Sequence, residues 1–508
     1  MEADIPKILF PELFIGFVAP VGANIDSSVL AFKEYFEANG YRAEELKVTD
    51  IFPIFEKYIT PRLPLSRNSE WERFHTYIKY GDQLREHFSD DSILTKTAVG
   101  RILRRRVHIS TAKEKPFTRI VYLIRQFKRK EEITFLRSIY GRLFFQVSVY
   151  SRRGARVDTL SRIFAHSDSS FNSDAYRDKA EEIVQIDENE ITDEHGQRVG
   201  EIFHDADFII NADIEKPVEE QVIRFCELLF GSNRLSPTRL EYGMFIAKAA
   251  ALRTLDLSRQ VGAAIFSLAG EVLAIGSNEV PRAEGGTYWA DERFDDRDYR
   301  RGEDANYRRK RENLINLLQL IGKARDEIDV LLNDERIQKS KIMDALEYSR
   351  IIHAEMSAIT DAARLGIAVK GGILYCTTFP CHMCAKHIVA SGISKVVFLE
   401  PYPKSLAPDL HTDAIKVESG ERGKYQHFPF VSFEHFYGIS PRRYRDLFER
   451  GRRKDRHGKF QDYIDGKKRP NIDYRNPFYN EMEKQTVDDN VEIIKRAIAE
   501  IEQHKEKS

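Results

Sequence analysis

The sequence predicts two α/β domains in tandem, residues 1–232 and 233–508. Three observations predict this. The first segment opens as strand, glycine-containing loop, helix and strand between Glu12 and Val48. Residues 238–415 run helix, strand, strand, helix, strand, helix, strand. Between the two patterns lies Gly231-Ser232-Asn233-Arg234-Leu235-Ser236-Pro237, a cluster of turn-forming residues that interrupts both. At 508 residues the chain is long enough for each domain to bury a full core.

In the first domain, Glu12 to Val18 (ELFIGFV) reads as a buried strand. The loop Ala19-Pro20-Val21-Gly22-Ala23-Asn24 follows, then a helix from Ile25 to Asn39 and a strand from Tyr41 to Val48. Arg119–Arg125 and Leu143–Tyr150 are two further apolar runs around the charged helix Lys130–Tyr140, and Phe208–Asn211 is a short last strand. Strands that are apolar throughout, joined by helices, predict a parallel sheet covered on both faces. A loop between such a strand and helix can cradle phosphate, so Gly16, Gly22, Ala23 and Asn24 are candidate nucleotide-binding residues. The phosphate-loop pattern is degenerate, however. If Gly22 is its second glycine, Ala23 and Asn24 replace the required Lys and Ser/Thr, and Gly16 stands one place early.

In the second domain, a helix at Thr238–Leu255 precedes strands at Val261–Phe266 and Glu271–Ser277. A highly charged insertion spans about 285–349, its second part reading as one or two amphipathic helices. Such charge density fits a solvated face or an oligomer contact. The tail carries Arg442, Arg443, Arg445, Arg452, Arg453, Lys454, Lys467, Lys468 and Arg469 among Tyr444, Phe448, Phe460 and Tyr463. Basic residues among aromatics can bind nucleic acid, but interspersed acids favour a packed or solvated extension.

The chemistry concentrates in Ile352–His387. His353-Ala354-Glu355 is followed by Pro380-Cys381-His382-Met383-Cys384. Cys381 and Cys384 are three apart, so on a helix they share a face. Pro380 favours a helix start there. In the first turn the helix dipole favours thiolate, the form that binds metal. His353 is the third ligand of a predicted Zn²⁺ site, and three protein ligands leave the fourth position open for catalysis. Cys376 could close the site as a fourth ligand, but it ends the apolar run Gly371–Cys376 and reads as a strand residue. Glu355, two residues from His353, projects elsewhere and suits a proton carrier. Arg282 and Lys404 follow strand ends near the expected pocket and are candidate phosphate holders.

The H-x-E and P-C-x-x-C pair is the signature of zinc nucleobase deaminases. The second domain resembles the cytidine/deoxycytidylate deaminase superfamily in His353–Ile359, Pro380–Cys384 and the strand motif Ser258–Ile265, with Gly276-Ser277-Asn278 and Pro281-Arg282 similar to its second-strand motif. The resemblance implies an α/β/α sandwich with a mixed sheet, catalysis by Glu355 and contact of Asn278 with the substrate sugar. The strand order of the first domain resembles a P-loop nucleoside-phosphate kinase. The two together resemble bacterial anti-phage dCTP deaminases. That resemblance implies conversion of free dCTP or dCMP to the deoxyuridine nucleotide, a homo-oligomer, a regulatory nucleotide at the first domain and control by a small RNA.

Composition narrows the alternatives. Lys plus Arg is 79 against 80 Asp plus Glu, a net charge of −1, which gives no global attraction to nucleic acid or anionic membranes. Four cysteines make no disulfide framework and point to a reducing compartment. No basic-then-apolar leader and no membrane-spanning run is read, so a cytoplasmic protein is expected. Two other readings stay open: a deaminase editing tRNA or single-stranded DNA, and a non-catalytic nucleotide sensor with structural zinc.

Overall fold

The computed structural model describes residues 6–111, 117–188, 196–214, 216–338, 340–402, 404–418 and 420–506. Its strands are β1 (Leu13–Val18), β2 (Arg42–Lys47), β3 (Ile120–Arg125), β4 (Phe144–Tyr150), β5 (Phe208–Asn211), β6 (Gly262–Phe266), β7 (Val272–Ser277), β8 (Ile373–Thr378), β9 (Lys395–Glu400), β10 (Ile415–Val417), β11 (Val431–His435) and β12 (Gly438–Ile439). The helices that matter below are α1 (Ile25–Ala38), α2 (Ile93–Thr111), α3 (Arg239–Ala251), α4 (Ala305–Leu320), α5 (Arg325–Leu332), α6 (Ala354–Arg364), α7 (His382–Ala390) and α8 (Tyr479–Glu506). Among the described residues no helix is long and apolar enough to cross a membrane.

The chain forms two compact units, residues 1–237 with 437–508 and residues 238–436. In the first unit the sheet order is β12-β5-β4-β1-β3-β2. All pairs are parallel except β12 on β5. The strands β1, β3 and β4 are apolar along nearly their whole length and almost fully buried, as expected of central parallel strands. β2, with the sequence RAEELK, is the charged edge.

The tail departs from the sequence expectation, which assigned everything after 233 to the second domain. Residues 437–508 complete the first unit. Charge is the reason. Glu483 of α8 is fully buried against Arg106 of α2, whose guanidinium also binds the buried Glu12 at 2.9 Å. Tyr479 donates to Glu12 Oε2 at 2.7 Å, and Tyr140 to Glu483 at 2.9 Å. Arg443, read as part of a basic tail, donates to Asp207 Oδ1 at 3.1 Å and to the Phe144 carbonyl at 2.8 Å. Lys468 and Tyr463 both reach Glu227, at 2.6 and 2.8 Å. These tail residues are internal partners of the first unit.

In the second unit the sheet order is β10-β11-β9-β8-β6-β7. β6 pairs antiparallel with β7 and β8, whereas β8, β9, β11 and β10 run parallel, giving a mixed sheet. Alternation along β6 and β8 divides its faces. Ala263, Ile265, Leu374 and Cys376 join a core with Ala354 and Ala358 of α6 and Ala385 and Ile388 of α7. The intervening Phe266 and Tyr375 pack with Tyr242 and Gly243 of α3. Helices therefore cover both faces. Two glycines permit close approach. A Cβ on Gly276 would stand 2.2 Å from the Ala354 carbonyl, and one on Gly262 would stand 1.9 Å from the Ala247 carbonyl.

The charged insertion has its own small core of Leu314, Leu318, Ile328, Leu332 and Met343, built on α4 and α5. It is tied to the sheet through Arg297, buried and 3.4 Å from Glu279, and through Arg350, 2.7 Å from Asp298.

Candidate active site

Two helix starts meet at the ends of β7 and β8. His353 is the N-cap of α6 and Cys381 the N-cap of α7. Cys384 sits one turn into α7 and shares the face of Cys381, as the spacing requires. Cys381 Sγ lies 3.3 Å and Cys384 Sγ 3.4 Å from His353 Nδ1. The three donor atoms all fall within 4.8 Å of one another. Tetrahedral zinc with ordinary Zn–S and Zn–N bonds would hold such atoms about 3.5 Å apart, so the donor set fits. Cys376 stays outside this group, buried on β8.

Without metal, protons are shared unevenly among the three donors, and binding zinc would release those held by His353 and Cys384. Hydrogen bonding from Cys384 and the neighbouring His353 pull the Cys381 thiol down to about 4. The same hydrogen bond, with burial, pushes Cys384 up. His353 is held up to about 9, chiefly by its bond with Cys381. Glu355 is 4 % exposed, and burial raises its carboxyl above the ordinary range. Cys384 Sγ donates to Glu355 Oε2 at 3.5 Å, which sets the carboxyl beside the ligand trio.

These residues open into a pocket of about 140 Å³. Its walls include Asp256, Arg259, Asn278, His353, Glu355, Cys381 and Tyr402. The insertion adds Asp304, Asn306, Leu346 and Ser349. Part of a segment expected to be a solvated face therefore forms a wall of the site. Sequence reasoning missed these residues, because charge density alone does not separate a wall from a surface. It also missed Arg259, although the residue lies inside the quoted motif Ser258–Ile265. Arg259 Nη1 is 3.0 Å from Glu400, and its guanidinium lies over the Tyr402 ring at 5.2 Å.

The other candidate residues stand apart from the His353/Cys381/Cys384 group in different ways. Arg282 is turned to Glu292 at 2.8 Å and Lys404 to Asp344 at 2.6 Å, and neither lines the pocket. Acids of the insertion capture both cations. Asn278 does line the pocket, but its amide is bonded to the chain itself. Gly16 is not in the glycine loop. It lies within β1, where a Cβ would stand 2.7 Å from the Phe144 ring.

The rest of that loop is closed by internal bonds. Asn24 caps α1 by accepting the Ser27 N–H. Ala23 N–H donates to the Pro20 carbonyl at 3.1 Å, and a Cβ on Gly22, at φ +87°, would meet the Arg156 backbone. The Val21 N–H donates at 2.7 Å to Asp187, a fully buried carboxylate that also pairs with Lys128. Pro403, read in the sequence as part of the loop after β9, lies outside the described residues.

Known proteins resemble parts of this chain. Residues 237–400 match the family described as "Cytidine and deoxycytidylate deaminase zinc-binding region". Deoxycytidylate deaminase of Enterobacteria phage T2 is 50 % identical over 54 residues, 11 % of this chain and 29 % of that protein. Deoxycytidylate deaminase of Mus musculus is 27 % identical over 159 residues, 31 % of this chain and 63 % of that protein. The chain thus spans under a third of the phage relative and less than two thirds of the mouse one. Among solved structures, a dCMP deaminase from the cyanophage S-TIM5 is 16 % identical with a TM-score of 0.22, covering 39 % of this chain and 99 % of that one. The residues that match that family model include His353, Glu355, Cys381 and Cys384, and the first three of these line the pocket.

Proposed function

We propose that the chain is a zinc-dependent hydrolase that deaminates a free deoxycytidine nucleotide, dCTP or dCMP, to the deoxyuridine nucleotide and ammonia. One observation carries the reading: a His353/Cys381/Cys384 donor set beside a buried Glu355 at the wall of a pocket. The named relatives support the pyrimidine nucleotide as substrate class.

Zinc, when bound, supplies Lewis-acid activation of water at neutral pH. His353, Cys381 and Cys384 hold it. Glu355 takes the proton of the attacking water and delivers it to N3 of the pyrimidine. Water adds at C4, the C4–N4 bond breaks, and Glu355 helps the departing amine leave as ammonia. Burial keeps bulk water from competing for that proton. Arg259 is the phosphate holder, because it brings a guanidinium to the pocket wall and Arg282 and Lys404 do not.

From the resemblance of the whole sequence to anti-phage dCTP deaminases we further propose that the reaction drains dCTP from a phage-infected cell, that a homo-oligomer forms, and that a small RNA controls the enzyme in the cytoplasm. The first unit then acts as a P-loop-kinase-like regulatory domain that takes a nucleotide. Its parallel sheet with β1 at the centre supports that fold, and its closed loop disfavours phosphoryl transfer of its own. The internal bonds of Arg443 and Lys468 count against an editing enzyme that grips nucleic acid by the tail.

The test is ammonia release from dCTP, dCMP, deoxycytidine and a single-stranded oligonucleotide, with and without ATP or GTP. Release from a free nucleotide is expected. Glu355→Ala should lose at least about 10²–10⁴-fold in kcat while keeping its zinc. Ammonia from the oligonucleotide alone, or an active Glu355→Ala protein, would overturn the reading.

A further inference from the structure

We propose that the glycine loop of the first unit already holds an anion of its own, the adjacent acids Asp187 and Glu188 at the end of the helix Arg177–Glu188, and that a phosphate-bearing ligand enters there by expelling them; the inference rests on the reading of this unit as one that takes a nucleotide. The Asp187 carboxylate accepts the kind of bonds that such loops give to phosphate. Its Oδ2 accepts the Val21 N–H at 2.7 Å, and its Oδ1 accepts Lys128 Nζ at 2.5 Å. Lys128 also donates to the Ala19 carbonyl at 3.1 Å, so one lysine ties the acid to the loop. Val21 follows the end of β1 and Lys128 the end of β3, its parallel neighbour. Ligands of open parallel sheets bind outside the carboxyl ends of the strands. Asp187, fully buried, lies where that topology puts a ligand.

The next residue repeats the arrangement. Glu188 pairs with Arg156 and lies 3.8 Å from Arg153, both just beyond the end of β4. Gly22 packs on the same Arg156, whose carbonyl would stand 2.8 Å from an added Cβ. The Arg156 side chain belongs to a residue only 4 % exposed. Its Nε donates to the Ser151 carbonyl at 3.1 Å, whereas its Nη1 is buried and, among the described residues, bonds to nothing. Three cations thus face two acids, and one buried donor is left for a further oxygen. A phosphate group carries that further oxygen and a carboxylate does not.

The acids also stand at the wrong end of their helix. They close its last turn, where the helix dipole disfavours negative charge. Burying Asp187 adds a desolvation cost that Lys128 and the Val21 N–H offset. A helix end held by the cations of the loop is released when another anion takes those cations. The helix carries its own reporter. Lys179 lies over the Trp71 ring at 5.0 Å, and Trp71 and Val21 both pack on the cluster that contains Ile183 and Val184. Trp289 is the other tryptophan of the sequence.

The test measures binding of ATP and of pyrophosphate to the full chain by equilibrium dialysis. The proteins are wild type, Asp187→Asn, Asp187→Asn/Glu188→Gln and Asp187→Asn/Lys128→Met. Asp187→Asn keeps an oxygen for the Val21 N–H, and cooperative thermal unfolding shows that each variant is folded. Asp187→Asn and the double neutral variant should bind about tenfold or more tighter than wild type, because the open loop no longer has to be won from an internal acid. Asp187→Asn/Lys128→Met should lose that gain. In a Trp289→Phe background, ligand should move the Trp71 emission of the otherwise wild-type chain toward that of the ligand-free double neutral variant. A gain for either probe upholds the inference and names the source, free phosphate or nucleotide. Wild-type affinity for ATP and pyrophosphate in both neutral variants, a gain that survives Lys128→Met, or an emission unmoved by bound ligand would overturn it and leave the nucleotide reading standing. Binding of neither probe to any of the proteins would overturn both.

Discussion

Arg259 and Glu418 show how a residue's surroundings decide what its charge does. Arg259 stands at the pocket wall within reach of Glu400 and Tyr402, so a phosphate must compete with one partly exposed ion pair, which is weak. Arg259→Ala is expected to raise KM roughly 10–100-fold for a nucleotide and to leave deoxycytidine turnover nearly unchanged; equal losses on both substrates would remove its phosphate role. Glu418 carries a cost instead. Burial pushes its carboxyl up to about 7 from 4.5. The folded chain then binds the extra proton between those values, so stability falls as pH rises through that window and the full cost stands above it. Glu418→Gln should raise stability at pH 8 by about 1–2 kcal/mol after allowing for solvent, and leave it unchanged near pH 4. Thermal unfolding across that range checks both. At this scale the grouping of His353, Cys381 and Cys384 beside Glu355 was legible in the sequence, because H-x-E and P-C-x-x-C are each local and each stands at a helix start. The pairing of Arg282 with Glu292 and of Lys404 with Asp344 was not legible, because both acids lie in a charged insertion.

Elements place the site by backbone contact as much as by side chains. α6 begins with His353 and Glu355 and lies against β7 where Gly276 leaves no Cβ. Gly276→Ala would put a carbon 2.2 Å from the Ala354 carbonyl and 2.5 Å from the Ala358 nitrogen. The helix must back away and take His353 with it. We expect a loss of about 1–3 kcal/mol in stability, with zinc affinity at least about tenfold weaker. Gly154, with nothing within 4 Å of an added Cβ, should tolerate alanine. Zinc titration and chemical unfolding of the two variants make the comparison. The sequence showed β6 and β7 to within a residue. It did not show β10 or β11, whose IKV and VSFEH interleave polar residues and lack the continuous apolar run of β6.

At the scale of the whole molecule, a buried triad decides where the tail belongs. Glu12 and Glu483 share Arg106, so one cation serves two buried carboxylates. Removing either acid leaves a pair, whereas removing the cation strands both. Arg106→Ala should therefore cost more than Glu483→Ala, on the order of 3–5 kcal/mol. A chain cut after Phe436 should lose the cooperative unfolding of the first unit and keep one zinc per chain in the second. Unfolding followed separately from zinc content would show it. The two α/β patterns and the break between them were legible in order. The return of residues 437–508 to the first unit was not, because the partners of Arg443, Lys468 and Glu483 lie hundreds of positions away.

That return has a consequence for synthesis. A chain made from its N-terminus presents all of residues 238–436 before β12 and α8 leave the ribosome. The first unit waits through that interval with Arg106 lacking one of its two acids and with β5 an open edge. Domains generally fold as they emerge, so the unit that holds the candidate metal ligands can close first, although it comes second in the chain.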